Sequence, residues 1–394
     1  MSDQHCDLLI IGGGPAGLIA AREAARSAPD LAIVLVERDA TIGSPVRCGE
    51  GVGSAGLAEF VELGPALPSW IARRITRVVF RAPDGSEVRV AEGDVGFILD
   101  RAGFEPMLAA EARHAGVDIR TSSDAIAMRR DADAWCVTIA AGDDRQDIRA
   151  RVVIGADGVE SAVGRWAGID TRVPARDMES CAQYVLDDVN IDSDAIVLHF
   201  GDRVAPGGYA WVFPKGERVA NVGLGVIARR AGGRSALMWL DDYRRRHYPN
   251  AIVRGRTVGG VIVSVTASRI VADGLMLCGD AAHMINPLSG GGIVNAMKAG
   301  RLAAETAIAA LMGGDVSAST LASYHDNWMR LLGDDHLRFY RVKEALARFD
   351  DAFFDGLART VNRIPESRRT LRRIFGAALI RHPTLLPVIA KYFA

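Results

Sequence analysis

The sequence has few of the features that mark secreted, zinc-binding or nucleic-acid-binding proteins. Its 394 residues include only five cysteines, an odd number with no C-x-x-C pair, so neither a disulfide framework nor a zinc site is predicted. A formal net charge of -1 gives no basic field that would attract nucleic acid. The first residues carry neither a basic region nor an apolar leader. These features predict a protein of the reducing cytoplasm.

Long apolar runs are also missing, so that no membrane span is predicted. The C-terminal end is unusual, because four arginines between residues 368 and 373 precede two apolar segments, residues 374–380 and 385–393. This pattern would suit peripheral contact with a membrane surface or shelter for a lipidic substrate, and it would equally suit helices that pack on the main body. With 49% hydrophobic residues, the chain can bury the cores of two or three domains.

The clearest pattern lies at the beginning of the chain. Residues 7–11 form an apolar run, typical of a buried parallel strand, and a glycine-rich turn and an alanine-rich stretch typical of a helix follow it. In this context Gly12 permits a tight turn, Gly14 lets the backbone approach a pyrophosphate, and Gly17 lets the helix lie close to the strand. A second strand ends at Glu37, where a carboxylate can bind a ribose. The pattern predicts an ADP-containing cofactor, either NAD or FAD.

Further along the chain, patterns typical of strands alternate with patterns typical of helices. A hairpin is predicted over residues 75–90, a helix over 102–115, a β-meander that ends near Gly155, and a helix over 236–247. An apolar strand before Gly279 and a helix through Ala310 follow. The order predicts an α/β protein in which a second domain is inserted into the first.

Three separated segments resemble FAD-dependent oxidoreductases with the p-hydroxybenzoate hydroxylase type of fold. They are the Gly12–Glu37 unit, Gly155-Ala156-Asp157-Gly158 with Ser161 and Arg165, and Gly279-Asp280. The resemblance implies a Rossmann-like FAD-binding domain (1–74, 96–172 and 266–316), a β-rich substrate-binding domain (75–95 and 173–265) and a helical C-terminal region (317–394).

Two further motifs are similar to those of the geranylgeranyl reductase family. Residues 45–51, Pro-Val-Arg-Cys-Gly-Glu-Gly, match the loop P-x-x-C-G-E-G, and residues 206–214 match P-x-x-Y-x-W-x-F-P at every specified position. The resemblance runs from Asp7 to about Ala310.

The resemblance implies which residues would contact FAD. They are Gly12, Gly14, Ala16, Gly17, Glu37, Arg47, Cys48, Gly49, Gly51, Arg101, Ala125, Asp157, Gly279, Asp280, Gly291, Gly292 and Ile293. The planar guanidinium of Arg101 suits a pyrophosphate, although a surface salt bridge is an equal interpretation. The prediction that Ala125 contacts FAD depends only on its position after a strand.

Family members saturate isolated double bonds of prenyl chains, and the resemblance implies three catalytic residues for that reaction. Tyr209 and Trp211 are two apart on an extended segment, so their rings would face one side and offer electron-rich surfaces to a developing cation. Cys48 would donate or relay a proton, or shape the pocket. Packing within the sheet is the alternative for the aromatic pair, and a buried inert thiol is the alternative for Cys48.

The sequence therefore predicts an FAD-dependent reductase of geranylgeranyl or other polyprenyl groups of lipids. NAD(P)H or a ferredoxin-like protein would supply electrons transiently, because no second nucleotide-binding unit is evident. Two alternatives stay open. One is a flavin-dependent monooxygenase of the same fold, which His283 after Gly279-Asp280 favours, and the other is a non-redox FAD-binding cyclase, isomerase or binding protein.

Overall fold

The structure is a computed structural model that describes residues 4–369, 373 and 376. Sixteen strands and nine helices are assigned within these residues. In chain order the strands are β1 (Gln4–Ile11), β2 (Ile33–Val36), β3 (Gly51–Gly53), β4 (Ile71–Arg81), β5 (Glu87–Leu99), β6 (Asp118–Arg120), β7 (Asp124–Asp131), β8 (Ala134–Ala141), β9 (Asp144–Gly155), β10 (Met178–Asp187), β11 (Ala195–Phe200), β12 (Tyr209–Pro214), β13 (Val219–Ile227), β14 (Ile252–Ile262), β15 (Val271–Ala272) and β16 (Leu275–Leu277). The helices are α1 (Pro15–Ser27), α2 (Ser54–Ala58), α3 (Arg101–His114), α4 (Ala162–Trp166), α5 (Ala236–His247), α6 (Ile293–Gly313), α7 (Ala318–Trp328), α8 (Asp334–Leu346) and α9 (Asp351–Val361).

The chain divides into two compact units. The first consists of Met1–Val46, Arg101–Arg172 and Ser264–Leu337, and the second of Arg47–Asp100, Val173–Val263 and Arg338–Ala394. Residues 47–74 and 96–100 therefore belong to the second unit, whereas the sequence placed them with the FAD-binding domain. The reason is that β5 continues to Leu99 and pairs there with β3 and β4. The functional division of the chain stays a prediction.

The first unit is built on an eight-stranded sheet whose central path runs β15-β16-β9-β1-β2-β6. Strands β16, β9, β1, β2 and β6 are parallel to one another, β15 pairs with β16 in the antiparallel sense, and β7 and β8 extend β9 as an antiparallel meander. Residues Leu8, Leu9 and Ile10 of β1 are fully buried, as expected for a strand covered on both faces. Helices α1 and α6 pack closely, because a Cβ atom on Gly300 would lie 2.2 Å from the Ala16 carbonyl oxygen.

The second unit is built on a separate eight-stranded sheet in the order β14-β10-β13-β12-β11-β4-β5-β3, antiparallel except between β11 and β4. Side chains alternate along β12, where Ala210 and Val212 are buried and the aromatic residues between them are partly exposed. The buried face packs against α5 through Leu240 and Tyr243. The aromatic side chains of β12 lie on the opposite face of this sheet.

Several predicted elements are confirmed. The hairpin around Pro83-Asp84-Gly85 joins β4 to β5, the helix over 236–247 is α5, and the meander is β7, β8 and β9. Helices α7, α8 and α9 follow residue 317, as predicted for the C-terminal region. Its last part, including the apolar segments 374–380 and 385–393, lies outside the described residues except for Gly376. Among the helices within the described part of the chain, none combines the length and apolar character needed to cross a bilayer.

Candidate functional site

The turn between β1 and α1 depends on glycine at two positions. Gly12 has φ +110, and a Cβ atom there would lie 2.2 Å from the Ala156 carbonyl oxygen. A Cβ atom on Gly17 would lie 2.0 Å from the Gly12 carbonyl oxygen, so that only glycine lets α1 approach the turn this closely. Gly14 is different, because the space around its missing side chain is open. Open space therefore lies beside the N-cap of α1, where an anion site requires it.

The three predicted glycine segments come together in the first unit. Ala156 touches the Gly12 turn, the Cys278 N–H donates to the Gly155 carbonyl at 2.9 Å, and a Cβ atom on Gly279 would lie 3.2 Å from the Ala16 Cβ. They meet because β1, β9 and β16 are parallel neighbours, and the carboxyl ends of parallel strands share one edge of the sheet. We call the segments 12–17, 155–158 and 279–280 the glycine cradle.

Two aspartates of the glycine cradle carry buried carboxyl groups. Asp157 Oδ2 accepts from the Val163 N–H at 2.9 Å, while its buried Oδ1 has no hydrogen-bond partner among the described residues. Burial raises the pKa of Asp157 above its usual range. Burial also raises the pKa of Asp280 to about 6, although the Arg101 guanidinium acts in the opposite direction. Groups of this kind need a polar partner, and a ligand with hydroxyl groups would provide one.

Glu37 lies at the end of β2 and is held by backbone groups. Its Oε2 accepts from the Gly13 N–H at 2.6 Å and its Oε1 from the Asp39 N–H at 2.8 Å. Each carboxylate oxygen has a second lone pair, so Glu37 can still accept from a ribose. The Ser123 N–H donates to the Glu37 carbonyl at 2.8 Å, which brings the start of β7, with Ala125, near this end of β2.

Arg101 begins α3 and forms an ion pair with Glu105, to which its Nε donates at 2.6 Å. This ion pair is with a buried glutamate and is not the surface salt bridge of the alternative interpretation, and contact of Arg101 with a pyrophosphate stays a prediction. Helix α6 begins at Ile293 without a side-chain cap. The position of a Cβ atom on Gly292 is 3.6 Å from Asp280 Oδ1, which places the uncapped end of α6 beside the glycine cradle. Gly291 is exposed.

His283 has a structural environment. It is buried, its Nε2 pairs with the Thr171 carbonyl at 3.1 Å, and burial lowers its pKa. The contact ties the end of β16 to the segment after α4.

Residues 45–51, which we call the Cys48 loop and which belong to the second unit from Arg47 onward, are anchored by a buried charge. The Glu50 side chain is 4% exposed, and its Oε2 accepts from Lys215 Nζ and from Asn221 Nδ2, each at 2.7 Å. Lys215 Nζ also donates to the Leu99 carbonyl at 2.8 Å. The carboxylate thereby joins the loop to the ends of β12, β13 and β5.

A second anchor connects the Cys48 loop with the aromatic strand β12. Gln183 on β10 donates through Nε2 to the Cys48 carbonyl at 2.9 Å and accepts through Oε1 from Trp211 Nε1 at 2.9 Å. A Cβ atom on Gly49 would lie 2.9 Å from the Phe213 ring and 3.3 Å from Trp211 Nε1. The glycine therefore lets the loop lie directly on the two rings.

The rings of five residues follow one another across β4, β11 and β12. Centroid distances are 6.1 Å from Phe80 to Phe200, 5.7 Å from Phe200 to Tyr209, 6.1 Å from Tyr209 to Trp211 and 6.4 Å from Trp211 to Phe213. The prediction that Tyr209 and Trp211 face the same side is confirmed. We call these five residues the aromatic row.

The predicted residues thus form two groups. All three predicted catalytic residues lie in the second unit, where Gln183 connects Cys48 with Trp211. Cys48 Sγ accepts a hydrogen bond from the Glu50 N–H at 3.2 Å, and Arg47 beside it is exposed. Glu50 and Gln183 were absent from the predicted site. The glutamate stood inside a quoted motif as its only acidic residue, a signal that could have identified it.

Two family models match parts of the chain. Residues 177–262 match the family model described as the geranylgeranyl reductase catalytic domain. Residues 7–184 match the model described as lycopene cyclase protein.

Full-length relatives are similar along the whole chain. The digeranylgeranylglycerophospholipid reductase of Methanosphaerula palustris is 41% identical, with 96% of this chain and 96% of the relative covered. The protein of the same name from Methanothrix thermoacetophila is 40% identical over 97% and 98% of the two chains.

Solved structures include a geranylgeranyl bacteriochlorophyll reductase-like protein from Thermoplasma acidophilum. It is 33% identical, has a TM-score of 0.91, and 98% of each chain is covered. A flavin-dependent brominase aligns with a TM-score of 0.72 at 18% identity, covering 96% and 100% of the two chains, and shows the shared fold alone. The predicted fold class is confirmed.

Proposed function

We propose that this chain, which belongs to the geranylgeranyl reductase family of FAD-dependent oxidoreductases, saturates carbon–carbon double bonds in the geranylgeranyl chains of a glycerophospholipid. The observation that carries the proposal is 41% identity, over 96% of both chains, with a protein named for that substrate. The similarity extends through the Cys48 loop and the aromatic row, so the residues that would meet the substrate lie within the aligned chain.

The first unit fits FAD on its own geometry. Gly14 leaves open space beside the uncapped start of α1, which suits a pyrophosphate, and the unpaired Oδ1 of Asp157 and the raised pKa of Asp280 suit hydroxyl donors. We assign the pyrophosphate to the Gly12–Gly17 turn and the ribose to Glu37. The other residues predicted to contact FAD keep that assignment. Bound and reduced, FAD would supply the electron pair for reduction.

The second unit fits a prenyl chain. The aromatic row supplies apolar ring surface, although Phe200 also stacks on Phe354 of α9, and Tyr209 and Trp211 offer ring faces that stabilise positive charge. Gln183 fixes the Trp211 indole and the Cys48 carbonyl together, so Cys48 is held beside the row. We assign Cys48 to shaping the reactive end of this surface and Tyr209 and Trp211 to stabilising developing cationic charge.

The proposal also covers the electron donor and the cellular location. We propose that NAD(P)H or a ferredoxin-like protein reduces the cofactor by transient contact. A phospholipid substrate resides in a membrane, so we also propose that a cytoplasmic protein works by peripheral contact with the bilayer surface. The basic and apolar C-terminal residues predicted for that contact lie largely outside the described residues.

The experiment uses the full chain purified with its FAD. The cofactor is reduced anaerobically with dithionite, lipid with two geranylgeranyl chains is added in detergent, and mass spectrometry measures the lipid. We expect a gain of two hydrogens for each saturated bond, together with reoxidation of the flavin. An unchanged lipid with dithionite, NADPH and reduced ferredoxin would refute the proposal. An oxygenated product under air, or an isomer formed without reductant, would instead support the monooxygenase or the non-redox alternative.

A further inference from the structure

A carboxyl group lies on the same face of the second sheet as the aromatic row. Glu179 alternates with Cys181 and Gln183 along β10, so the three side chains share one face. Strand β13 places glycine opposite them, since Cys181 pairs with Gly225 in the ladder. A Cβ atom on Gly225 would lie 2.6 Å from Glu179 Oε2, so the carboxyl occupies space that any other residue would fill.

The second glycine below this carboxyl belongs to the P-x-x-Y motif. A Cβ atom on Gly208 would lie 3.5 Å from Glu179 Oε1, and Tyr209 follows directly in the chain. Glu179 therefore lies over glycine backbone on β13 and just before β12, next to the aromatic row. Neither the sequence motifs nor the predicted site included it.

The surroundings of Glu179 favour its neutral form. Burial raises its pKa to about 7, with the Lys343 ammonium of α8 acting in the opposite direction. Lys343 is already paired with Asp177, to which it donates at 2.8 Å, and with the Val263 carbonyl at 2.7 Å, so its charge is largely compensated. The other titratable groups that interact with the carboxyl are Cys181 and Tyr209.

Those two neighbours are weaker acids. Burial, and then the Glu179 carboxylate, raise the pKa values of the Cys181 thiol and the Tyr209 hydroxyl above their usual ranges. A donor that is protonated near neutral pH and still releases its proton transfers it better than one that holds it tightly. Among these three groups, only Glu179 combines both properties.

We infer that Glu179 donates the proton that the reduction adds to the double bond. The inference rests on the proposed function. The O–H bond of the carboxyl breaks, and the π pair of the alkene forms a new C–H bond, which leaves positive charge on the other carbon. The second hydrogen arrives there with its electron pair from the reduced cofactor, and water then returns a proton to the carboxylate.

Three variants test this role. Glu179→Gln keeps the size of the side chain and removes the acid, Glu179→Asp keeps the acid on a shorter chain, and Glu217→Gln makes the matched change at an exposed glutamate in the turn between β12 and β13. We expect Glu179→Gln to lower the rate of lipid reduction about 100-fold, Glu179→Asp to recover part of it, and Glu217→Gln to match the parent. As a control for intact cofactor binding, the flavin spectrum and the amount of bound FAD should be equal in all four proteins.

A second measurement does not depend on turnover. With glutamate labelled by 13C at its carboxyl carbon, the resonance lost in Glu179→Gln should titrate with a midpoint near pH 7 in the parent. The rate of lipid reduction in the parent should fall above that pH, because the donor loses its proton, and Glu179→Gln should lack this limb of the pH profile.

The outcomes separate the two proposals. A parent protein that reduces no lipid refutes the proposed function, whatever the titration shows. An active parent with a fully active Glu179→Gln variant overturns the role of Glu179 alone. So does an inactive variant if the assigned carboxyl titrates near its ordinary value, because the residue would then be ionised at neutral pH and its role structural.

Discussion

The glycine cradle of the first unit and the aromatic row of the second are built in opposite ways. The cradle is made of backbone, and its defining contacts are close approaches such as that of Gly17 to the Gly12 carbonyl at 2.0 Å. The aromatic row is made of side chains, and one of them, Trp211, is held by the hydrogen bond that it donates to the distant Gln183. A nucleotide can bind to backbone N–H groups, whereas an apolar chain needs side-chain surface.

This difference determines how each region should respond to substitution. A side chain added at Gly12 or Gly17 of the cradle meets backbone that cannot move without disturbing the parallel sheet. A side chain changed near the aromatic row meets other side chains, which can rearrange at moderate cost. Damage to the cradle should therefore affect folding and cofactor together, and damage near the row should affect substrate turnover or local stability.

The largest effect is expected for Gly17→Val. The new side chain would collide with the Gly12 carbonyl, so we expect loss of more than about 4 kcal/mol in the free energy of unfolding and almost no bound FAD. Gly14→Ala is the matched comparison, because its Cβ atom meets only open space within the protein. It should fold normally while binding FAD about tenfold more weakly. Chemical denaturation and FAD fluorescence titration measure the two quantities.

If Gly17→Val kept both its cofactor and its stability, the claim that the glycine cradle depends on close backbone contacts would be wrong. Equal FAD affinity in Gly14→Ala and the parent would show that no ligand approaches the open space at Gly14.

The next effect concerns the buried pair that holds the Cys48 loop. Lys215→Met leaves the Glu50 carboxylate buried without its ammonium partner, and we expect a loss of about 3 kcal/mol in the free energy of unfolding. The double variant with Glu50→Gln should recover part of that loss, since no uncompensated charge remains. Urea denaturation of the FAD-loaded proteins measures both. Additive losses in the double variant would contradict a direct interaction.

Cys48→Ser should separate turnover from cofactor binding. The hydroxyl is smaller and harder than the thiol, and we expect lipid reduction to fall about tenfold while bound FAD is unchanged. Cys136→Ser, at a buried thiol of the first unit, is the control for the general effect of the substitution. Parallel loss of FAD and of turnover in Cys48→Ser would give the residue a structural role.

The glycine cradle could be predicted from the sequence because its information is local. Each of its three segments is a strand followed by a glycine-rich turn, and the parallel arrangement brings the carboxyl ends of such strands to one edge. The same reasoning placed Tyr209 and Trp211 on one side, because alternation along a strand needs no partner. These predictions used neighbours in the chain and one rule of topology.

The supports of the aromatic row could not be predicted in this way. Gln183 and Cys48 are separated by 135 positions, and their contact depends on the register between β10, β13 and β12. Shifting that register by one residue would turn Gln183 to the other face, and no local pattern fixes it. Glu179 was missed for the same reason, since its significance comes from Gly225 on the neighbouring strand.

The smallest effect tests this dependence on register. Gln183→Leu keeps the volume of the side chain but leaves Trp211 Nε1 and the Cys48 carbonyl without their bridge, so we expect a loss of about 1 to 2 kcal/mol in the free energy of unfolding. The freed indole should also show altered tryptophan fluorescence, and KM for the lipid should rise more than kcat falls, because the apolar surface loses its fixed shape. Thr257→Val, a change of similar kind opposite Gln183 on β14, is the control. If both variants shift KM equally, the aromatic row depends on general packing of the face, and the bridge through Gln183 contributes nothing specific to substrate binding.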